Sequence, residues 1–233
     1  MDWNKIGVIC AMDEERDEVM RHLENVRPVL QKAGLSIVEG NFGKISVYLV
    51  TAGIGKVNSA MCTQVMIDSL DPDILLNIGV AGALAPDLEQ GDIIISEAAQ
   101  EHDLDCSDLG DPKGVIPRMD TSIFPADQTL ARDALKACEQ LGCHGRLGKV
   151  VSGDQFIANA EKKNMLVREF QGDCAEMEGA AMAHVCYLNQ KSWLIIRSIS
   201  DKADGEAELS YPEFKYLPAR RAGELFACIM KNI

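Results

Sequence analysis

The sequence predicts a single-domain α/β protein, a central β-sheet flanked by helices, and three observations carry that reading. Short apolar runs alternate with amphipathic or acid-opened segments along all 233 residues. Several of those runs, ILLNI (74–78) and WLII (193–196) among them, are nearly or wholly apolar, as in strands covered on both faces. Polar and ionisable residues then follow directly on the runs, at the strand ends outside which α/β sheets hold their ligands. No repeat, low-complexity tract or shift in composition divides the chain, so residues 1–233 read as one domain with a sizeable core.

A net charge of -13 and a pI near 4.7 argue against nucleic acid and anionic membranes as partners. Eight cysteines, at 10, 62, 106, 138, 143, 174, 186 and 228, show no C-x-x-C pair and no metal-ligand spacing. They read as reduced thiols of a cytoplasmic protein. The opening MDWNKIGVICAMDEE places one lysine before a short apolar run and then acids, which is neither a signal peptide nor a spanning segment.

Residues 5–12 read as the first strand, and Asp13, Glu14 and Glu15 open a helix continuing through Val19, Met20 and Leu23. Acids in a first turn favour the helix macrodipole, which accounts for two of the three without a function. The cluster nevertheless lies just past a strand end, as Asp201 does, so the two groups can face one crevice. Residues 26–51 read as a β-meander with a turn at 40–43. The turn at 51–56 opens a helix whose apolar face is Val57, Ala60, Met61 and Val65. It fails both phosphate fingerprints, since Asn58 and Val50 stand where glycine is required, and a tight turn is the default.

Asp71-Pro72-Asp73 ends that helix, and the strand at 74–78 runs into GVAGAL, small residues that let backbone approach a ligand. A strand at 92–96 leads into a long polar segment from Glu101 to Gly110 and a Pro/Gly-bearing loop to Arg118, which suits a functional or interface loop. His102, Asp103 and Asp105 lack further ligands at metal spacing, so no metal is expected. Residues 125–141 read as a helix with Leu130, Ala134, Leu135 and Cys138 on one side, and 145–151 as a strand ending in SGDQFI (152–157). Ser152 is no nucleophile elbow, because Val150 occupies the place of the required glycine. Residues 202–210 read as an acidic loop and 212–233 as a terminal helix, with Tyr211 at the junction.

The stretch 175–204, AEMEGAAMAHVCYLNQKSWLIIRSISDKAD, is central. Ala181, Met182, Val185 and Cys186 give a helix from 178 to 189 one apolar face. The apolar run at 193–196 then delivers Arg197, Ser198, Ser200 and Asp201. A buried arginine requires a carboxylate, and Glu176 and Glu178 are the nearest candidates. A structural ion pair between neighbouring elements, with Asp201 as a solvated loop residue or helix cap, is the plain alternative. With carboxylates at several strand ends, no metal set, no phosphate loop and no triad, the residues are compatible with glycosidic cleavage by paired carboxyls, a generic possibility at this point.

Seven blocks sharpen it: KIGVICAMDEE (5–15), TAGIGKVNSA (51–60), NIGVAGAL (77–84), GDIIIS (91–96), SGDQFI (152–157), AEMEGAAMAHVC (175–186) and IIRSISDKAD (195–204). In order and spacing they resemble the 5'-methylthioadenosine/S-adenosylhomocysteine nucleosidases of the purine nucleoside phosphorylase/uridine phosphorylase superfamily, across nearly the whole chain. The resemblance implies a nucleoside phosphorylase-like fold with a mixed twisted sheet, adenine nucleosides as partners and no cofactor. It implies that Asp201 protonates adenine N7, assisted by Ser200, and that Glu15 activates the attacking water. Glu178 is expected to accept from both ribose hydroxyls beside the Met177 backbone, with Arg197 near the water. Ile157 is expected to read the adenine edge, Phe156 to stack on the base, Gly82 to touch substrate, and Met12 and Tyr211 to line the apolar pocket.

The resemblance further implies a homodimer in which the 102–110 loop enters the neighbour's site, Cys106 and Leu109 touching the 5' substituent. Val80 stands where many members carry a serine that helps hold the water, and Tyr211 and Leu109 stand where phenylalanine is common, which bears on the preferred 5' group. Two other readings remain open: a phosphorylase of the same fold, for which the matched sites offer only Arg197 as an anion ligand, and a non-catalytic nucleoside-binding protein. Methylthioadenosine, adenosylhomocysteine, 5'-deoxyadenosine and aminodeoxyfutalosine are the candidate substrates that the resemblance implies.

Overall fold

The most continuously apolar segments become the strands at the middle of the sheet. β1 (Lys5–Cys10), β5 (Ile74–Ala83) and β10 (Ser192–Asp201) are buried over nearly every residue and pair in parallel, β1 on β5 and β5 on β10. The computed structural model describes residues 3–203 and 216–232. On one side of β1, β4 (Ile45–Thr51) pairs in parallel and continues into β3 (Leu35–Phe42) and β2 (Glu24–Lys32) as an antiparallel meander. β2 is the outermost strand and mostly exposed, as its polar composition requires.

The other side closes on itself. β10 pairs antiparallel with β6 (Ile93–Glu101), β6 in parallel with β8 (Gly145–Ser152), and β8 in parallel with the short β9 (Cys174–Glu176). β9 returns antiparallel to β5. Five strands thus complete a small barrel, with β1, β4, β3 and β2 as a wing, and β7 (Ile123–Pro125) pairs on β6. Register shifts at Ser96/Ala98 in β6 and Ile199/Asp201 in β10 supply the local bends that closure needs.

Helices cover both faces. α1 (Asp13–Met20) and α3 (Gln128–Gln140) pack on α6 (Tyr216–Asn232), and α2 (Lys56–Leu70) packs on α5 (Gly179–Leu188). Asp127 caps α3, its Oδ1 accepting from the Thr129 and Leu130 amides at 3.0 Å each. α4 (Ala160–Met165) passes into a π turn at Leu166–Phe170.

Several elements differ from the sequence reading. β5 runs on through Gly79 and Gly82 instead of ending at residue 78, and β10 through Arg197 to Asp201, because the barrel pairs Gly79 with Arg197 and Gly82 with Asp201, and gives Arg197 and Gly82 second partners in Ile94 and Ala175. β6 reaches Glu101, β7 precedes a helix that starts at Gln128, and α1 stops before Leu23. The buried face of α2 is Ser59, Cys62, Thr63, Met66 and Ile67, while Val57 is 77% exposed. That face can be partly polar because Ser59 donates to the Glu178 carbonyl at 3.0 Å and Thr63 to the Ser59 carbonyl at 2.7 Å. All eight cysteines are free, and five are fully buried. Among the described residues no helix is long and apolar enough to cross a membrane.

Candidate active site

The carboxyl ends of β1, β5, β9 and β10 converge on one cleft, and the ionisable groups it collects come from separate stretches of sequence. Glu15, Glu176, Glu178 and Asp201 all line it. The three glutamates and the aspartate are each at least nine-tenths buried.

Glu15 is turned back from the first turn of α1 and held by three backbone donors. Its Oε2 accepts from the Ala11 and Met12 amides at 2.9 and 3.0 Å, and its Oε1 from the Val80 amide at 3.1 Å. Burial raises its pKa, opposed by the charge of Arg197 and by those amides, and the balance leaves it above the ordinary carboxylate range. A Cβ on Gly79 would lie 2.5 Å from Glu15 Oε1, so the glycine makes room for the carboxylate itself. Asp13, in contrast, turns outward to Thr51 and Arg16.

Asp201 closes β10. Its Oδ2 lies 2.7 Å from Ser200 Oγ and its Oδ1 accepts from the Ala203 amide at 2.8 Å. Ser200 Oγ also lies 3.3 Å from the Ala81 carbonyl. One hydroxyl proton serves both directions: Ser200 donates to an ionised Asp201, or donates to Ala81 while accepting from a protonated one. A Cβ on Gly82 would come within 2.9 Å of Asp201 Oδ1, so this glycine too clears space for an acid.

Arg197 is fully buried beneath these groups. It pairs with Glu176 and with the Asn77 side chain, and its Nη1 donates to the Asn77 carbonyl at 3.0 Å. Of the two carboxylates expected to partner it, Glu176 makes the ion pair. Glu178 Oε1 accepts instead from the Gly55 amide at 2.8 Å. Burial and the neighbouring charge of Glu176 push the Glu178 carboxyl up to about 8.

Met12, Val80, Gly82, Phe156, Met177 and Ser200 also line the cleft, and Ile157 lines a smaller recess that shares Gly82, Phe156, Met177 and Asp201 with it. Arg197 lies behind the wall and is not on the surface of the cleft. Cys106 and Leu109 do not line it, and Leu109 is 82% exposed on a 3-10 turn at Ser107–Leu109. Tyr211 lies outside the described residues. Sequence reasoning missed Ala11, Ile54, Ala81 and Ala175 as lining residues. The glycine turn holding Ile54 follows β4, parallel to β1, so the strand-end argument already applied to it.

His102, Asp103 and Asp105 are engaged with protein. The Lys56 ammonium joins Glu101 and Asp103 at 2.8 and 2.6 Å, and Asp103 also accepts from the Asp154 amide at 2.8 Å. His102 meets the Phe170 ring edge-on, and Asp105 accepts from the Ser107 amide at 3.0 Å.

The phosphorylase superfamily model matches residues 5–231. A 5'-methylthioadenosine/S-adenosylhomocysteine nucleosidase of Haemophilus ducreyi is 37% identical over 98% of this chain and 98% of its own length. The Helicobacter pylori nucleosidase of the same name, solved with an aminopyrrolopyrimidine joined to a thioether-bearing pyrrolidinol, superposes with a TM-score of 0.94 at 30% identity, covering 100% of both chains. Futalosine hydrolase of H. pylori superposes with a TM-score of 0.94 at 30% identity, covering 99% of this chain and 98% of its own.

Proposed function

The chain belongs to the phosphorylase superfamily and hydrolyses the N-glycosidic bond of 5'-methylthioadenosine and S-adenosylhomocysteine, and we propose that Asp201 and Glu15 carry that reaction across one cleft. The products are adenine and the 5-thioribose compound. Asp201 gives its proton to adenine N7, so the base leaves neutral as its bond to the anomeric carbon breaks. Ser200 supports the protonated acid by turning its own hydroxyl to the Ala81 carbonyl. Water forms the new bond to that carbon and passes a proton to Glu15, which its three amides hold in place. Glu178 accepts from the ribose hydroxyls, placing negative charge near the oxocarbenium-like ring. Phe156 stacks on the base, Ile157 presents its backbone to the adenine edge, and Met12, Met177 and Gly82 complete the pocket.

The observation that supports this reading best is the convergence of Glu15, Glu178 and Asp201 on a single cleft. It also favours water over phosphate. No lysine or arginine lines the cleft among the described residues, Arg197 is engaged by Glu176 and Asn77, and a phosphate dianion would meet buried carboxylates. Val80 supplies an amide to Glu15 but no hydroxyl, so the water rests on Glu15. The chain acts as one domain in the cytoplasm, as a homodimer whose 102–110 loop brings Cys106 and Leu109 to the neighbour's 5' substituent.

Adenine release measured from methylthioadenosine, adenosylhomocysteine, 5'-deoxyadenosine and aminodeoxyfutalosine, with and without phosphate, tests the function. Release is expected without phosphate. Asp201→Asn and Glu15→Gln are each expected to lose about 10²–10⁴-fold in kcat, with binding of Asp201→Asn largely kept. Near-normal turnover by Asp201→Asn would refute its role, dependence on phosphate would make the protein a phosphorylase, and binding without release would make it a carrier.

A further inference from the structure

Helix α5 begins in an unusual way. An N-cap side chain ordinarily turns back onto the unbonded amides of the first turn. Glu178 holds that position and makes no such bond; its carboxylate lies in the cleft, on the Gly55 amide. Two other side chains serve the amides instead. Glu176 accepts from the Gly179 amide at 3.0 and 2.8 Å and from the Glu178 amide at 3.1 Å. Ser152 Oγ accepts from the Ala180 amide at 2.7 Å and donates to Glu176, which also pairs with Arg197. Ser152 comes from the end of β8 and Glu176 from the end of β9, so the two strands of the barrel jointly close the helix.

We propose that Glu176 and Ser152 form a positioning pair: they cap α5 in place of Glu178 and so leave the Glu178 carboxylate free to grip the sugar. The physical reason is competition. If its first-turn amides lost their acceptors, the nearest carboxylate able to take them would be that of Glu178, which would then leave the cleft. The charges facing Glu178 are Glu176, Arg197 and Glu15, so Glu176 also sets the charge state of its neighbour while Arg197 balances the pair. The inference rests on the nucleosidase reading for what Glu178 grips.

The test compares Glu176→Gln and Ser152→Ala with the native protein on methylthioadenosine and on its 2'-deoxy counterpart. If the pair positions Glu178, kcat/KM on the ribonucleoside falls about tenfold or more while the 2'-deoxy compound changes much less, so discrimination between them collapses. Ser152→Ala, which removes one hydroxyl and keeps the ion pair, shows the same selectivity and decides the matter if Glu176→Gln does not fold. Glu176→Gln also moves the pH dependence of nucleoside binding to lower pH, because a negative neighbour of Glu178 is gone, whereas Ser152→Ala leaves it in place. Equal losses on both compounds, or unchanged discrimination in both folded variants, would overturn the proposal. Should the native protein release no adenine, the nucleosidase reading fails, and the affinities of the two nucleosides measured by calorimetry decide the positioning pair by the same criterion.

Discussion

In the free protein, three buried glutamates share the single guanidinium of Arg197, and one charge of either sign is easily satisfied while three acids against one base are not. The excess falls on Glu178, whose carboxyl is pushed up to about 8 by burial and by Glu176. A carboxyl raised on folding stabilises the fold below its ordinary value of 4.5, and that contribution is lost as pH rises toward about 8. Ribose hydroxyls donating to Glu178, as proposed above, would favour its ionised form, so nucleoside binding at pH 7 should release close to one proton per site. Affinity for a non-hydrolysable adenosine thioether should then rise about tenfold per pH unit between pH 6 and 8 and level off above. Calorimetry in two buffers of different ionisation heat reads the proton count; Glu178→Gln should abolish the release, and a buffer-independent binding heat in the native protein would refute it. At this scale the placement of the acids was legible, Asp201 and the Asp13–Glu15 cluster both lying near the ends of apolar runs, while the choice of Glu15 within its cluster came from the family resemblance. The partition of Glu176 to Arg197 and Glu178 to Gly55 was not, because two residues apart on one turn they differ only in what the barrel places opposite each.

Elements were legible where one physical pattern dominates and misread where two compete. β1, β4 and α5 follow from apolar periodicity, but on α2 the stripe Val57, Ala60, Met61 and Val65 marks only the border of the buried face: Met61 and Val65 pack partly buried against the core and Val57 is exposed, while hydroxyls satisfied within the packing let Ser59 and Thr63 take the interior. β5 was cut short at Gly79 because glycine punctuates strands in general, whereas here Gly79 and Gly82 admit the carboxylates of Glu15 and Asp201. The cap of α3 gives a test at this scale. Asp127 Oδ1 accepts two first-turn amides while its Oδ2 takes the Ser192 hydroxyl at 3.1 Å at the start of β10. Asp127→Ala should cost about 1–2 kcal/mol of stability in urea unfolding with an unchanged slope, and leave kcat within about twofold. A comparable loss of kcat would mean that the start of β10 controls the placing of Asp201 at its far end.

Over the whole molecule, the sequence supports an α/β sheet with a crevice at its strand ends, and the family resemblance supplies its mixed strand order. Closure into a barrel depends on β9, three residues long and below what periodicity detects, and on β10 being continued past Arg197. The same arrangement leaves apolar side chains at the border of the cleft. Ile54 and Phe156 line it and are half exposed, and the base of the 102–110 loop is fastened by Asp103 to Lys56, at the start of α2 beside exposed Val57. Leu109 projects from that loop without lining the cleft of its own chain. A homodimer that exchanges this loop accounts for both facts, and two inactive variants can decide it. In Leu109→Asp every site keeps its acids but receives a damaged loop; in Asp201→Asn every site lacks its acid but receives a sound one. Co-expressed with different tags and isolated as the mixed dimer, they should recover about half of native kcat/KM on methylthioadenosine, because one of the two sites then combines a native Asp201 with a native loop from its neighbour. A mixed dimer as inactive as its parents, or a protein that sediments as a monomer of 25.4 kDa at full activity, would place the loop in its own chain's service.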